Sequence, residues 1–252
     1  MIAGKHALVT GGGAGIGKAI ALSLAQAGIA VTICGRRKEP LDAVAREHKG
    51  IHPIVADVTD EAAMTNLFAE AEKARGPIDI VVANAGMSGS SPAHRTSLAD
   101  WQHTIAVNMT GSFLTVKPAL AGMTARKSGR IVFVASTAGL KGYAYVAPYV
   151  AAKHGVVGLM RALATELART GVTVNAVCPG FVETEMLEES VKRIVEKTGR
   201  SVEQARASLS ATNPQGRFIQ PQEVAAAVLW LCSEEAGSIT GQAISLSGGE
   251  TW

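Results

Sequence analysis

The sequence is poor in aromatic residues, in cysteine and in long apolar runs. Aromatic side chains make up 4% of the 252 residues, and the three cysteines, Cys34, Cys178 and Cys232, lie far apart without a Cys-x-x-Cys pair. Scattered cysteines in apolar stretches are typical of reduced core residues rather than of a disulfide framework. No apolar run approaches the ~20 residues that a membrane-spanning helix needs. We therefore expect no membrane partner.

The amino-terminal segment does not resemble an export signal. Met1 to His6 leads directly into an apolar stretch. This leaves no room for the charged and apolar regions of a secretory signal peptide. The sequence therefore predicts a cytoplasmic location.

Neither sign of charge is in large excess, since the sequence has 24 Lys and Arg and 21 Asp and Glu. No basic stripe carries interleaved aromatic residues, so we expect no nucleic-acid partner. From Glu188 to Lys197 acids and bases alternate at helical spacing, which predicts ion pairs of Glu188 with Lys192 and of Glu189 with Arg193. This pattern is more typical of a solvated helix face than of a phosphate-binding patch.

Neither a metal site nor a serine hydrolase is indicated. His48 and His52 have i,i+4 spacing, but Gly50 and Pro53 interrupt the helix that would align their rings. No Gly-x-Ser-x-Gly segment occurs, which disfavours a serine hydrolase. We therefore predict that no metal ion is bound.

Short apolar segments rich in β-branched residues alternate with longer helical patterns along the whole chain. The strand candidates are His6–Thr10, Ala30–Cys34, Ile51–Val55, Ile78–Ala83, Arg130–Ala135, Val172–Val177 and Ala243–Leu246. The helical patterns lie near Gly15–Ala27, Glu39–His48, Glu61–Ala74, Ala99–Ala125, Pro148–Thr170 and Glu223–Leu231. Continuous apolar strands suit a parallel sheet that is buried on both faces, and their strict alternation with helices makes it doubly wound. The sequence predicts a Rossmann-type α/β fold of about seven parallel strands with helices on both faces, in a single domain of residues 1–252.

One segment, residues 183–215, inserts helical-looking sequence where a short loop would suffice. It follows the sixth predicted strand, and loops at the carboxyl ends of parallel strands border the ligand crevice. A substrate lid and an ordinary surface excursion are both consistent with this position.

A glycine-rich turn follows the first predicted strand. The segment from Thr10 to Gly17, Thr-Gly-Gly-Gly-Ala-Gly-Ile-Gly, precedes a helix rich in Ala, Ile and Leu. Such glycines allow the backbone to turn tightly and to approach a pyrophosphate, whose charge the helix N-terminus then stabilises. The Gly-Lys-Ser/Thr of a nucleoside triphosphate loop is lacking. A dinucleotide site is therefore predicted.

Two arginines bear on the choice of nicotinamide cofactor. Arg36 and Arg37 follow the second predicted strand, where an NAD site would carry Asp or Glu for the ribose hydroxyls. A guanidinium can hold a 2′-phosphate, which a carboxylate would repel. NADP(H) is therefore favoured. NAD(H) stays open, because Ala14 adds no second cation to the turn and a strand-end Arg can simply be solvated.

Ser136, Tyr149 and Lys153 have the types and the spacing of a carbonyl-reducing centre. Tyr149 and Lys153 are i and i+4 at the start of a predicted helix, so their side chains share one face. A phenol with a pKa near 10 is a poor acid-base catalyst near neutrality, and we expect a neighbouring ammonium together with an oxidised nicotinamide to lower that pKa by roughly 2–3 units. Ser136, just past a strand end, can donate a hydrogen bond to the same substrate oxygen. Tyr143 and Tyr145 lack a cation four residues further on and are not expected to be catalytic.

These features together resemble the short-chain dehydrogenase/reductase family over essentially the whole chain. The matching motifs are the turn glycines Gly11, Gly15 and Gly17, the segment Asn84-Ala85-Gly86, Asn108, Ser136, the pair Tyr149 and Lys153, and Pro179-Gly180 with Thr184. Ala83 and Ala135 depart from common family residues, but neither departure removes a reacting group.

The resemblance implies specific roles for these residues. Ser136 would hold the carbonyl oxygen, Tyr149 would donate its proton, Lys153 would lower the phenol pKa and bind the nicotinamide ribose, and Asn108 would hold a water that relays protons. The implied cofactor residues are Gly11, Gly13, Gly15, Ile16, Gly17, Arg36, Arg37, Asp57, Val58, Asn84, Ala85, Gly86, Val107, Tyr149, Lys153, Pro179, Gly180, Val182 and Thr184. Simpler structural roles stay open for three of them: a helix cap or kink for Asn108, an N-cap for Thr184 and a turn for Asp57.

The resemblance is greatest to bacterial 3-oxoacyl-thioester and polyketide ketoreductases. It implies an NADP(H)-dependent enzyme that interconverts a ketone and a secondary alcohol, with a small-molecule substrate. An NAD-dependent alcohol or 3-hydroxyacyl dehydrogenase is the alternative, and a non-catalytic dinucleotide-binding sensor would not need Ser136, Tyr149 and Lys153 together. Small residues at Ala151, Gly155, Gly158 and Ala162, on a helix that relatives use for assembly, predict a homotetramer.

Overall fold

The computed structural model describes residues 1–2 and 4–251, which form one seven-stranded sheet in the order β3-β2-β1-β4-β5-β6-β7. The strands are β1 (His6–Thr10), β2 (Ala30–Gly35), β3 (Ile51–Val55), β4 (Ile80–Ala83), β5 (Gly129–Val134), β6 (Val172–Pro179) and β7 (Ala243–Leu246). Every pairing between neighbours is parallel. The predicted Rossmann-type class is confirmed, although β4 begins two residues later than expected and β6 continues to Pro179.

Helices cover both faces of this sheet. They are α1 (Gly15–Gln26), α2 (Lys38–Glu47), α3 (Glu61–Arg75), α4 (Leu98–Ile105), α5 (Gly111–Arg126), α6 (Ala147–Leu167), α7 (Glu185–Thr198), α8 (Val202–Ser210) and α9 (Pro221–Leu231). One apolar cluster includes Met64 of α3, Met123 of α5 and Met160 of α6, while a second includes Leu24 of α1 and Val228 of α9. None of the helices in the described residues combines the length and apolar character that a membrane crossing requires.

The helical pattern predicted near residues 99–125 is helical throughout, but its centre is not α-helical. Between α4 and α5 the backbone forms a π-helical turn over Ala106–Thr110, which contains the buried Asn108. A π-turn adds a residue to the helical ladder and frequently occurs at functional sites. Hydrophobic periodicity cannot reveal it, because the helix continues on both sides.

Residues 183–215 form the helices α7 and α8, which share a small apolar cluster of their own. Leu187 and Val191 of α7 pack with Ala205 of α8 and with Phe218. Among the described residues the predicted pairs of Glu188 with Lys192 and of Glu189 with Arg193 do not form. Glu188 pairs with Arg206 of α8 instead, and Arg193 donates to the Ser88 carbonyl. The Glu188–Arg206 ion pair therefore connects α7 with α8, whereas the predicted pairs would lie on the surface of α7 alone.

The strand order reverses at β1. From β1 the chain continues to β2 and β3 on one side, whereas β4 lies on the other side, with Val9 beside both Ile33 and Val82. A crevice opens where the connections diverge in this way, at the carboxyl ends of the strands. The topology thus fixes the place of a binding cleft before any side chain is considered.

Candidate active site

A cleft of about 1020 Å³ opens at this edge of the sheet. Gly15 and Ile16 of the glycine turn line one end of it, and Tyr149 and Lys153 lie along its wall. Beyond them α7 and α8 cover the cleft with apolar side chains that include Met186 and Leu209. The cleft thus joins the predicted dinucleotide turn to the predicted reacting groups.

The glycine turn is held by the sheet beneath it. Gly11 has a φ of +66°, and its N–H donates to the Cys34 carbonyl at 2.8 Å. A Cβ on Gly17 would overlap the Gly11 carbonyl oxygen and the Asn84 amide, so only glycine allows α1 to start this close to the strand. Lys18 N–H makes a bond to the Ala14 carbonyl at 3.0 Å, so the N–H groups before it are left for a ligand.

Asn84 joins the end of β4 to the end of β1. Its side-chain Nδ2 donates to the Thr10 carbonyl at 2.8 Å, and its backbone N–H donates to Thr10 Oγ1 at 3.0 Å. The backbone N–H of Ala85 donates to the same hydroxyl at 3.1 Å. The Asn-Ala-Gly segment therefore braces the glycine turn as well as lining the cleft.

The predicted triad is assembled by β5 and α6. Ser136 follows β5 and caps a short 3₁₀ turn, accepting a hydrogen bond from Ala138 N–H at 3.1 Å. Lys153 is buried, and its Nζ donates to the Val134 carbonyl at 2.9 Å. The same Nζ lies 5.6 Å from the centre of the Tyr149 ring. The structure thus brings Ser136, Tyr149 and Lys153 to one point of the cleft wall.

Burial controls the proton affinities of these groups. It raises the pKa of the Tyr149 phenol, and the Ser136 hydroxyl acts in the opposite direction. Burial also lowers the pKa of Lys153 to about 8. Desolvation is the largest effect on both groups, so the lowering of the phenol pKa by Lys153 and a bound oxidised nicotinamide stays a prediction. A phenol with a raised pKa keeps its proton at neutral pH.

Asn108 is buried beside Lys153 and has its side-chain amide fully engaged. Its Nδ2 donates to the carbonyls of Met87 and Thr104 at 3.0 Å, and its Oδ1 accepts from Met87 N–H at 3.2 Å. A Cβ on Gly86 would come within 2.9 Å of that Oδ1 and 3.7 Å of Lys153 Nζ. Asn108 therefore fixes the 86–87 backbone beside Lys153, in addition to bonding the Thr104 carbonyl within its own helical turn.

The structure places most, but not all, of the implied cofactor residues on the cleft. The cleft is lined by Gly11, Gly15, Ile16, Gly17, Asn84, Ala85, Gly86, Tyr149, Lys153, Pro179, Gly180, Val182 and Thr184. Outside these walls lie Gly13, Arg36, Arg37, Asp57, Val58 and Val107. The two arginines are exposed at the end of β2, and Val58 is buried against Gly111. Their contact with cofactor stays a prediction.

Asp57 and Thr184 have structural contacts of the kind that the sequence left open. Asp57 Oδ1 accepts from the N–H and the hydroxyl of Thr59 at 2.9 and 2.8 Å, which lowers the pKa of the Asp57 carboxyl, with a smaller contribution from Arg36. Thr184 occupies the N-cap position of α7, but its hydroxyl donates to the Val182 carbonyl at 3.2 Å.

Two cations of the outer cleft have contacts that the sequence does not indicate. Arg193 and Lys197 of α7 reach across the cleft and donate to the carbonyls of Ser88 and Ser90 at 3.0 and 3.1 Å. Their i,i+4 spacing is typical of a solvated helix face, and it does not indicate that Ser88 and Ser90 lie opposite them. Within the described part of the chain, no group of three His, Cys, Asp or Glu side chains is arranged to hold a metal ion.

Comparison with known proteins agrees with this geometry. The profile of the family described as short chain dehydrogenase matches residues 5–194. The chain belongs to this family. It is an NAD(P)-dependent oxidoreductase, as the family's reductase relatives also indicate.

Relatives match over nearly their whole length. The 3-oxoacyl-[acyl-carrier-protein] reductase of Aquifex aeolicus is 39% identical over 251 residues, covering 98% of this chain and 97% of the relative. The D-beta-hydroxybutyrate dehydrogenase of Cupriavidus necator is 38% identical over 256 residues, with 99% and 98% covered. A crystal structure of a variant actinorhodin polyketide ketoreductase with NADPH is 39% identical, has a TM-score of 0.95, and covers 98% of this chain and 97% of that chain.

Proposed function

We propose that this short-chain dehydrogenase reduces a ketone, in particular a 3-oxoacyl thioester, with NADPH. The observation that carries the proposal is the convergence of Ser136, Tyr149 and Lys153 on a cleft that starts at the glycine turn. The 3-oxoacyl reductase and the NADPH-bound polyketide ketoreductase among the relatives support the substrate class and the cofactor.

The described residues fit a nicotinamide dinucleotide. The pyrophosphate would lie at the N-terminus of α1, where the N–H groups of Gly15, Ile16 and Gly17 precede the first helical hydrogen bond. Gly15 and Thr184 face each other there, since a Cβ on Gly15 would meet the Thr184 methyl at 3.1 Å. The chemistry that this group supplies when bound is hydride transfer at the nicotinamide ring.

The protein's own groups handle the proton. Ser136 Oγ donates a hydrogen bond to the substrate carbonyl oxygen, and Tyr149 Oη gives that oxygen a proton as negative charge develops on it. The Tyr149 phenol, whose pKa burial raises and the Ser136 hydroxyl lowers, carries its proton at neutral pH and can therefore supply it. Lys153, fixed to the Val134 carbonyl, keeps a positive charge beside the ring. Asn108 supports this arrangement by fixing the Met87 backbone.

The outer cleft suits a long acyl thioester. Phe181, Met186 and Leu209 provide an apolar surface for a chain, while Lys197 and Arg200 place cations at the exposed end. Cations at the mouth of an apolar channel match a thioester whose carrier bears phosphate. A 3-hydroxyacyl dehydrogenase working in the oxidative direction is the second candidate, because the D-beta-hydroxybutyrate dehydrogenase relative matches equally fully.

A turnover screen tests both candidates. Purified protein is assayed with 3-oxoacyl thioesters, simple ketones and secondary alcohols, each with the NADP and the NAD form of the cofactor. We expect the highest kcat/KM for a 3-oxoacyl thioester with NADPH. Tight cofactor binding without turnover of any compound would contradict the proposal and favour a sensor.

We also propose that the chain forms a homotetramer through α4, α5 and α6. On α6 a Cβ at Gly158 meets no atom within 4 Å and Ala162 is exposed. Phe113 on α5 and Trp101 on α4 are large apolar side chains with 39% and 40% exposure. Gly155, in contrast, packs internally against Met109, so it serves the fold of one chain rather than an interface.

Light scattering on the purified protein tests the tetramer. Gly158→Arg introduces a charge where a single chain has room for it, so we expect folding to persist and the assembly to dissociate. A monomeric wild-type protein at working concentration would contradict the proposal.

A further inference from the structure

A buried carboxylate of the carboxyl-terminal tail lies against the active-site cleft. The Glu250 side chain is only 3% exposed, although it stands two residues before the end of the chain. Its Oε1 accepts a hydrogen bond from the Tyr143 hydroxyl at 2.6 Å and lies 3.1 Å from Lys141 Nζ. A Cβ on Gly180, which lines the cleft, would come within 3.3 Å of Oε2.

Burying such a carboxylate lowers the stability of the fold, and an apolar side chain at this position would avoid the loss of hydration. Removing a carboxylate from water costs several kcal/mol unless partners compensate it. Lys141 is 43% exposed, so the ion pair alone is partly screened. The short bond from Tyr143 is then the contact that most favours a carboxylate at this position.

Tyr143 connects Glu250 to the reacting groups. Its ring lines the cleft, and its hydroxyl is also 2.7 Å from Thr137 Oγ1, in the turn that Ser136 caps. Burial and the Glu250 hydrogen bond both raise the pKa of Tyr143, so its hydroxyl stays a donor. A phenol that the sequence gives no catalytic role is thus fixed between the tail and the Ser136 turn.

The segment that carries Glu250, residues 245–251, is held in place by close packing and hydrogen bonds. A Cβ on Gly248 would overlap the Asn213 amide, and Gly248 has a φ of +62°, so the backbone fits closely there. Ser245 Oγ lies 2.8 Å from Ser247 Oγ and 2.6 Å from Thr251 Oγ1. These contacts surround Glu250 on both sides in sequence and limit its movement.

We propose that Glu250 is a positioning residue, which holds the Tyr143 ring as a fixed wall of the substrate half of the cleft. The wall acts on how the ketone is bound beside Ser136 and does not take part in proton or hydride transfer. This inference rests on the proposed reductase function for its kinetic test, while its structural test needs no substrate.

The kinetic test compares Glu250→Leu, Glu250→Gln and Tyr143→Phe with wild type on the substrate that the turnover screen finds. Glu250→Leu and Tyr143→Phe should each raise KM about 5- to 10-fold and change kcat less than about threefold, as expected when a charge-assisted bond behind the cleft wall is lost. The double variant should be no worse than either single variant, because both remove one bond. Glu250→Gln keeps an acceptor for the Tyr143 hydroxyl and should stay within about twofold of wild type.

The structural test is amide hydrogen exchange without substrate. In Glu250→Leu, exchange should accelerate in residues 137–149 and 247–251 together, whereas Glu250→Gln should behave like wild type. Glu235→Leu is the matched control, because Glu235 pairs at 2.8 Å with the exposed amino terminus far from the cleft. If Glu250→Leu fails to fold, Tyr143→Phe alone decides.

Several results would overturn the inference. They are unchanged KM and unchanged exchange in Glu250→Leu and Tyr143→Phe, KM effects that multiply in the double variant, or Glu250→Gln as impaired as Glu250→Leu. If the turnover screen identifies no substrate, faster amide exchange of residues 137–149 and 247–251 together in Glu250→Leu still supports the positioning role of Glu250. Exchange that changes in only one of the two segments still refutes it.

Discussion

Replacing Arg36 by alanine tests which nicotinamide cofactor the protein prefers. If the guanidinium binds the 2′-phosphate, the substitution removes a charge-assisted contact that NADPH makes and NADH cannot make. Such contacts are worth about 1.5–3 kcal/mol. Arg36 and Arg37 are both exposed at the end of β2, so water and salt screen them. We therefore expect the lower end of this range, which corresponds to roughly a tenfold fall in kcat/KM with NADPH and little change with NADH.

The assay measures kcat/KM for both cofactors and the dissociation constant of NADPH by fluorescence. Lys38→Ala is the matched control, since it removes a nearby cation that pairs with Asp42 at 2.6 Å. It should leave NADPH within about twofold of wild type. Added salt should weaken NADPH binding more than NADH binding, because only NADPH would gain the extra exposed ion pair.

Arg37 can substitute for Arg36, so the double substitution Arg36→Ala with Arg37→Ala tests for redundancy. The double variant should lose more NADPH efficiency than either single variant. A wild-type protein that already prefers NADH, or a double variant that binds both cofactors equally less well, would refute the NADP assignment. The oxidoreductase assignment would survive either result.

Three further substitutions test the site and the fold. Tyr149→Phe deletes the transferable proton but keeps the ring, so kcat/KM should fall roughly 10²–10⁴-fold while NADPH affinity stays within about twofold; near-normal rates would exclude Tyr149 as the acid. Lys153→Met should reduce both turnover and cofactor affinity, measured by fluorescence titration, because Nζ is the buried cation beside Tyr149; unchanged affinity would remove its cofactor role. His6 Nδ1 donates to the Gly76 carbonyl at 2.8 Å and Nε2 lies 2.9 Å from Thr32 Oγ1, while burial lowers the pKa of His6 below its ordinary value of 6.5. The unfolded chain therefore takes up a proton first as pH falls, so the free energy of unfolding should decrease below about pH 6.5, by at most about 1.4 kcal/mol per pH unit. In His6→Gln the slope measured by urea unfolding should be shallower, and an equal slope would refute this account.

The architecture could be predicted because its pattern is local and repeated. Each strand is a short apolar run and each crossover a helical pattern, so the alternation determines a parallel, doubly wound sheet. The triad could also be predicted, because Tyr149 and Lys153 are neighbours on one helical turn and Ser136 follows the adjacent strand. In each case the prediction depends on residues that are a few positions apart or on elements that follow each other in the chain.

The contacts that could not be predicted join distant parts of the chain. The Tyr143 hydroxyl and Glu250 are 107 positions apart, and Arg193 meets the Ser88 carbonyl across 105 positions. Neither contact leaves a periodic signal, since each depends on how two distant segments of the chain are placed by the finished sheet. The π-turn at Asn108 was hidden for a different reason, because one extra residue in a helix hardly changes its apolar pattern.

The pKa of Tyr149 shows which part of the chemistry residue spacing leaves out. The i,i+4 relation to Lys153 correctly predicts that the two side chains share a face, but it says nothing about how much water is lost there. Burial raises the pKa of the phenol and lowers that of Lys153 to about 8, so desolvation acts against the charged form of both groups. The phenol is therefore protonated at neutral pH, and burial makes it a weaker acid than a solvated tyrosine, an effect that the Ser136 hydrogen bond offsets in part.

Preorganisation explains why family motifs coincide with internal hydrogen bonds at this site. Asn84 uses its amide on the Thr10 carbonyl, and Asn108 uses its amide on Met87 and Thr104. These side chains are already satisfied by the protein itself, so they can set the position of the backbone against which a cofactor and Lys153 lie. When further hydrogen bonds hold the groups of a site in place, the site reorganises little during the reaction. Electrostatic stabilisation of a transition state depends mainly on such preorganisation. By the same reasoning, Asn108→Ala should impair turnover through displacement of the 86–87 backbone, even if Asn108 never touches the substrate.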